Sequence, residues 1–231
     1  QSFFFKHRNE VALSYGTKGI PDPSYNYSAA FLNQHPAISD RHRLLFLGRV
    51  HVKKAPDLLL LALADLLRQG IWDSQTMVLV MAGPAEGAYA EQLKRLSVDL
   101  GLESSVYWTG MLQNDQKWGA FQSADAFVLP SHQENFGIAV AEALSCSTPV
   151  LISHAVNIAA DIAADGAGLV EADTRAGVRS LLAQWLALTP GCRAVMAVRA
   201  RHCYEQRYQI EAASISLTRA IQTALLQRQR A

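Results

Sequence analysis

The sequence predicts an α/β fold in which a mostly parallel sheet lies between two layers of helices. Three observations carry that prediction. From residue 43 onward, short apolar runs alternate with helical patterns. Each run is apolar at successive positions, as a strand must be when helices cover both faces of its sheet. And 231 residues with 50% hydrophobic side chains are enough to bury a substantial core. Strand and helix in regular alternation specify a Rossmann-like three-layer domain.

In chain order the expected strands are Leu44 to Leu47, Met77 to Met81, Val106 to Thr109, Ala126 to Leu129, Val150 to Ile152 and Gly168 to Val170. After the first, Pro56 to Gln69 opens with a proline in its first helical turn and stops at Gly70, the asymmetry expected of helix ends. Tyr89, Leu93, Leu96 and Leu100 then recur at helical spacing, and Gly101 supplies the stop. A shorter helix opens at Asn114 and carries Trp118 and Phe121. After the fourth strand comes the apolar helical run Ile138 to Leu144. After the sixth, Thr174 caps a helix with Val178, Leu181, Leu182 and Trp185 on one face.

The domain proper therefore spans residues 41–190. Residues 1–40 hold Gly16, Gly19, Pro21, Pro23 and Pro36 without sustained periodicity. They read as a linker or remnant preceding the domain, with one strand at Val11 to Ser14. Residues 191–231 read as two closing helices.

Composition excludes several classes of function. Lys plus Arg number 21 against 20 for Asp plus Glu, a net charge of +1. Without long basic runs, that balance argues against nucleic acid as a partner. The longest apolar stretch, Leu58 to Ala64, ends at Asp65 and is too short to span a bilayer. Phe3, Phe4 and Phe5 run at once into Lys6, His7 and Arg8, which is not signal-peptide architecture. Three cysteines with no C-x-x-C spacing fit neither a disulfide framework nor a zinc site. The sequon Asn26-Tyr27-Ser28 carries no weight without secretion. The expectation is a reduced, cytoplasmic protein without a metal. The chain begins with Gln1 rather than Met, as one shortened upstream would.

In open parallel sheets, ligands bind beyond the carboxyl ends of the strands. Four strand-end loops are candidates. Gly48-Arg49-Val50-His51-Val52-Lys53-Lys54 places Arg49 and Lys54 beside a helix N-terminus, where an anion is favoured; the same cations also fit a solvated loop. In Ala82-Gly83-Pro84-Ala85-Glu86-Gly87, glycine allows close approach to a ligand but equally serves any tight turn. It forms neither a G-x-G-x-x-G nor a Walker loop, so nicotinamide cofactors and P-loop hydrolysis lose support. Gly110-Met111-Leu112-Gln113 offers an apolar rim that fits a nucleobase or ordinary loop packing.

The fourth loop, Pro130-Ser131-His132-Gln133-Glu134-Asn135-Phe136-Gly137, is the most specific. Glu134 lies in the loop, and Glu142 lies on the helix with seven residues between them. Glu142 interrupts an apolar face about 6 Å beyond the helix start, an expensive place for a carboxylate without a partner. A carboxylate there accepts both hydrogens of a ribose diol, or is a helix position without a role. The N–H groups of Asn135, Phe136 and Gly137 face whatever anion or sugar hydroxyl sits at the helix mouth. His132 reads as a loop packing residue, since no second ligand stands at metal-site spacing.

These loops together are similar to a known pattern. Gly48-Arg49 with Lys53-Lys54, Val78 to Gly83, Ala124-Asp125 with Leu129-Pro130-Ser131, and Glu134-x7-Glu142 followed by Thr148-Pro149-Val150 resemble the C-terminal, donor-binding domain of the family 4 glycosyltransferases. That domain is the C-terminal half of a GT-B fold, and the match covers roughly residues 41–190. The resemblance implies that Arg49, Lys54 and Glu134 are catalytic, the two cations on the donor's pyrophosphate and Glu134 on the transferred sugar. It places Glu142 on the ribose and Gly48, Gly83, Met111, Leu112, Asn135, Phe136 and Gly137 around the donor. It further implies retaining transfer from a UDP-, GDP- or ADP-linked sugar, no metal or other cofactor, and an N-terminal acceptor domain in cis or in trans. The complete enzyme would then lie in the cytoplasm or peripherally at a membrane.

Departures from the pattern are Ala55 and Ser147, where glycine is usual, and Ala159-Ala160-Asp161 after Val156-Asn157-Ile158. A second reading is a non-catalytic nucleotide-sugar-binding module descended from such enzymes. An epimerase or phosphorylase of the same fold fits the Glu-x7-Glu spacing poorly.

Overall fold

The computed structural model describes residues 15–229, so the strand expected at Val11 to Ser14 lies outside the described residues. Six strands form one sheet: β1 (His42–Leu47), β2 (Met77–Ala82), β3 (Val106–Gly110), β4 (Ala126–Leu129), β5 (Val150–Ser153) and β6 (Gly168–Glu171). Every expected strand is present. All five strand pairings are parallel, so the sheet is wholly rather than mostly parallel. The central strands β4 and β5 are buried at every position, which is why their sequences lack the alternation of a half-exposed strand.

The helices are α1 (Tyr27–Gln34), α2 (Pro56–Arg68), α3 (Ala88–Asp99), α4 (Asn114–Ser123), α5 (Ile138–Ser145), α6 (Ala159–Asp165), α7 (Arg175–Ala187), α8 (Pro190–Cys203) and α9 (Ile210–Gln229). α2 packs on α3 and α7, while α4 packs on α1 and α5, and α5 and α6 pack on α8. These two groups are the outer layers. The Thr174 side chain accepts the Gly177 N–H at the start of α7, and Thr189 does the same for Cys192 in α8. Both satisfy an N–H that the helix itself leaves free.

The linker expected over residues 1–40 does not describe residues 27–38. These form α1 and a 3₁₀ turn at Pro36–Ile38, and Tyr27, Phe31 and Ile38 are buried. The buried stripe of α1 is only Tyr27 and Phe31, too sparse to register as periodicity. Its docking depends on Gly119 of α4, where an added Cβ would stand 2.4 Å from the Tyr27 carbonyl oxygen. The sequon residue Asn26 is the N-cap of α1, accepting the Ala29 N–H at 3.1 Å.

The two closing helices are joined by a π turn, Tyr204–Tyr208. Arg207 bonds both oxygens of Asp165 at 2.7 and 2.9 Å, and reaches Asp161 at 3.1 Å. The incoming chain is fixed at the same place: the Thr17 N–H donates to Tyr208 and the Thr17 carbonyl accepts from Ile210. Among the described residues, no single helix is long and apolar enough to cross a membrane.

Candidate active site at the strand-order reversal

The strand order is β3-β2-β1-β4-β5-β6. The chain winds outward from β1 in one direction and from β4 in the other, so the loops leaving these two neighbours part and open a crevice between them. The β1 loop brings Arg49 and Lys54 to that crevice; the β4 loop brings Glu134. The two loops touch directly, with the His132 N–H donating to the Lys53 carbonyl at 2.9 Å.

Glycines set the floor. The Gly48 N–H donates to Ala82 and the Gly83 N–H to Gly110, aligning the ends of β1, β2 and β3. Gly83 has φ +129°, and a Cβ there would fall 2.0 Å from the Gly48 carbonyl oxygen. Around Gly48 itself an added Cβ would meet nothing within 4 Å.

Arg49, His51, Lys53, Lys54, Gln133, Glu134 and Asn135 line a cavity of about 210 Å³. Within it, Lys54 and Glu134 form an ion pair. Burial first, and then the neighbouring Arg49 charge, push the Lys54 ammonium below its usual range. Arg49 is exposed. Such a cluster has excess positive charge to offer a ligand.

Gly137 caps α5 in the left-handed region at φ +77°, a conformation natural to glycine. The N–H groups of Asn135, Phe136 and Gly137, just ahead of α5, have no acceptor among the described residues. Phe136 is buried against Tyr208 of the π turn, ring centroids 5.7 Å apart. It therefore anchors the loop through its ring and offers only its backbone to the crevice.

Glu142 has the partner its setting demands. Its Oε1 lies 2.8 Å from the Lys117 Nζ, and both side chains are mostly buried. Lys117 also lies 4.2 Å from the Trp118 ring centroid. Lys117 was not singled out from sequence, and the lone signal for it was the need of Glu142 for a countercharge. Leu112 is half-buried and Met111 is 62% exposed, so the β3 loop presents an apolar rim as expected.

His132 was expected to be a packing residue and instead pairs by its Nδ1 with Asp173 Oδ2 at 2.8 Å. Asp173 follows β6, 41 positions along the chain from His132, and carries no local sequence signal. Asp161, at the departure after Ile158, turns away from the crevice to Arg207 and Tyr208. At the other two departures, where glycine is usual, Ala55 and Ser147 both adopt positive φ, +50° and +60°. Among the described residues, no three His, Cys, Asp or Glu side chains are grouped to hold a cation. A second cavity of about 240 Å³, lined by Trp72, Asp125 and Arg193 among others, opens at the amino ends of the strands, away from this chemistry.

A wholly parallel sheet with the Lys54–Glu134 ion pair and Arg49 at its reversal point defines a Rossmann-like domain. Comparison identifies its family. Residues 29–196 match the pattern described as "Glycosyl transferases group 1", and the chain belongs to that family. It is 36% identical over 133 residues to the D-inositol 3-phosphate glycosyltransferase of Kineococcus radiotolerans, covering 56% of this chain and 31% of that protein. To the enzyme of the same name from Saccharomonospora viridis it is 32% identical over 170 residues, covering 71% and 39%. Among solved structures, Anabaena HepE in complex with UDP and glucose superposes with a TM-score of 0.72 at 18% identity, covering 86% of this chain and 52% of that one. A glycosyltransferase from Rickettsia africae gives 0.74 at 15%, covering 88% and 54%. The fold is that of one half of a GT-B glycosyltransferase, and the chain spans about a third of these relatives' length and half of the solved chains.

Proposed function

We propose that the chain is the donor-binding half of a retaining, metal-independent glycosyltransferase that takes its sugar from a nucleotide diphosphate sugar. The observation that carries the proposal is the convergence in one cavity at the strand reversal of Arg49, Lys54, Glu134 and Asn135, with the partnered Glu142 eight residues beyond Glu134 on the following helix. Retention is supported by the family 4 resemblance alone. Breaking a glycosidic bond to a diphosphate develops negative charge on the leaving oxygen. Arg49, Lys54 and the α5 N-terminus supply fixed positive potential there without a bound ion.

The two ion pairs supply the charges that a donor would draw on. Lys54 pairs with Glu134 and Lys117 with Glu142. A diphosphate draws Lys54 to itself and leaves Glu134 to accept sugar hydroxyls, while Glu142 accepts from the ribose diol. The base rests on the Met111–Leu112 rim. An acceptor domain, in cis or in trans, completes transfer by aligning the acceptor and excluding water. We place the complete enzyme in the cytoplasm, bare or peripheral at the membrane.

Calorimetric titration with UDP and UDP-glucose, the nucleotide class held by the Anabaena neighbour, tests the assignment. Arg49→Ala and Glu142→Ala should each weaken binding by about tenfold or more, the loss of one charge-assisted contact. Unchanged affinity in both would remove these residues from the site.

A further inference from the structure

The loop carrying Glu134 is tied down on three sides. Toward β1, the His132 N–H donates to the Lys53 carbonyl at 2.9 Å. Toward β5, the Glu134 N–H donates to Ala155 at 3.1 Å, and the Glu134 carbonyl accepts from Asn157 at 3.0 Å. These are backbone bonds that other side chains at the same positions would also allow. The third tie belongs to this sequence: His132 Nδ1 lies 2.8 Å from Asp173 Oδ2, bridging the β4 loop to the β6 loop.

This pair has no evident structural duty. The two side chains are 42% and 38% exposed, so they fill no core, and an ion pair so placed adds little to stability. Nor is Asp173 needed to start α7, because Thr174 is the cap. The His132 hydrogen bond, with His154 contributing, holds the Asp173 carboxyl below the usual carboxylate range. It is therefore ionised at neutral pH and fixes a hydrogen on Nδ1.

We propose that His132 and Asp173 are positioning residues for Glu134. Asp173 orients the imidazole, the imidazole fixes the segment between its Lys53 contact and Glu134, and Glu134 is thereby set against the transferred sugar. The inference rests on the sugar-binding role given to Glu134 above. It places the effect in the sugar rather than in the nucleotide, which separates it from a general loosening of the loop.

The test compares Kd for UDP, GDP and ADP with Kd for their hexose conjugates on the full chain, with melting temperatures as the check on folding. The quantity read is the affinity gained from the sugar, taken for the conjugate that gains most. His132→Ala and Asp173→Ala should each lower that gain about fivefold, within the range of coupling between residues in contact. Affinity for the nucleotide alone should stay within about twofold. His132→Asn, whose amide nitrogen replaces Nδ1, should restore most of the gain. In a Glu134→Ala background, His132→Ala should change nothing further. An unchanged gain in folded His132→Ala overturns this inference alone. If the wild-type chain binds no nucleotide, or gains nothing from any sugar, the role given to Glu134 falls and this inference falls with it.

Discussion

Ser147 and Ala55 occupy the same backbone region for different reasons, and they should respond oppositely to glycine. Ser147 is exposed at φ +60°. Glycine there relieves about 1 kcal/mol of left-handed strain against about 0.5 kcal/mol of added freedom in the unfolded chain. Ser147→Gly should therefore stabilise by about 0.5 kcal/mol, read from urea midpoints at constant m. Ala55 shares the strain but is fully buried, and losing its methyl costs about 0.8 kcal/mol more; Ala55→Gly should be neutral or slightly destabilising. Gly83→Ala should cost about 3 kcal/mol, since it adds strain at φ +129° and a collision with Gly48. A melting curve like that of wild type would show that the β1 and β2 loops do not meet as described. At this scale the sequence spoke clearly where a residue acts through the backbone. The glycines and the 134–137 segment were legible because a turn or helix start constrains residue type locally. Lys117 and Asp173 were not, because each meets its partner across 25 and 41 positions of chain. No local pattern encodes such a meeting.

The π turn between α8 and α9 is held by Arg207 on Asp161 and Asp165. The Arg207 hydrogen bonds keep the Asp165 carboxyl below its ordinary value of 3.8. A carboxyl with a depressed folded-state pKa adds stability that is complete above the unfolded value and is lost as pH falls through the folded one. The advantage of wild type over Arg207→Met should therefore be constant at neutral pH and shrink below about pH 3.8. A gap that stays constant into stronger acid would mean that Arg207 stabilises by packing alone. The six strands and the helices between them were legible because burial on both faces leaves unbroken apolar runs. α1 was not, because a helix that buries only Tyr27 and Phe31 owes its place to the space left by Gly119 on another helix.

At the scale of the molecule, topology does the assembling. The order β3-β2-β1-β4-β5-β6 brings together loops about 80 residues apart, and with them Arg49, Lys54 and Glu134 in one cavity. On the donor-binding role proposed above, the chain should bind a nucleotide sugar unaided. The most direct measurement is a thermal-shift panel of the chain with UDP, GDP and ADP and their sugar conjugates, run beside Arg49→Ala. Ligand at a hundredfold its Kd adds about 2.7 kcal/mol, which for a chain of this size is a rise of roughly 5–10 °C in Tm. The predicted result is a rise with one base class, abolished or sharply reduced by Arg49→Ala. No rise with any nucleotide at millimolar concentration would contradict the donor-binding role.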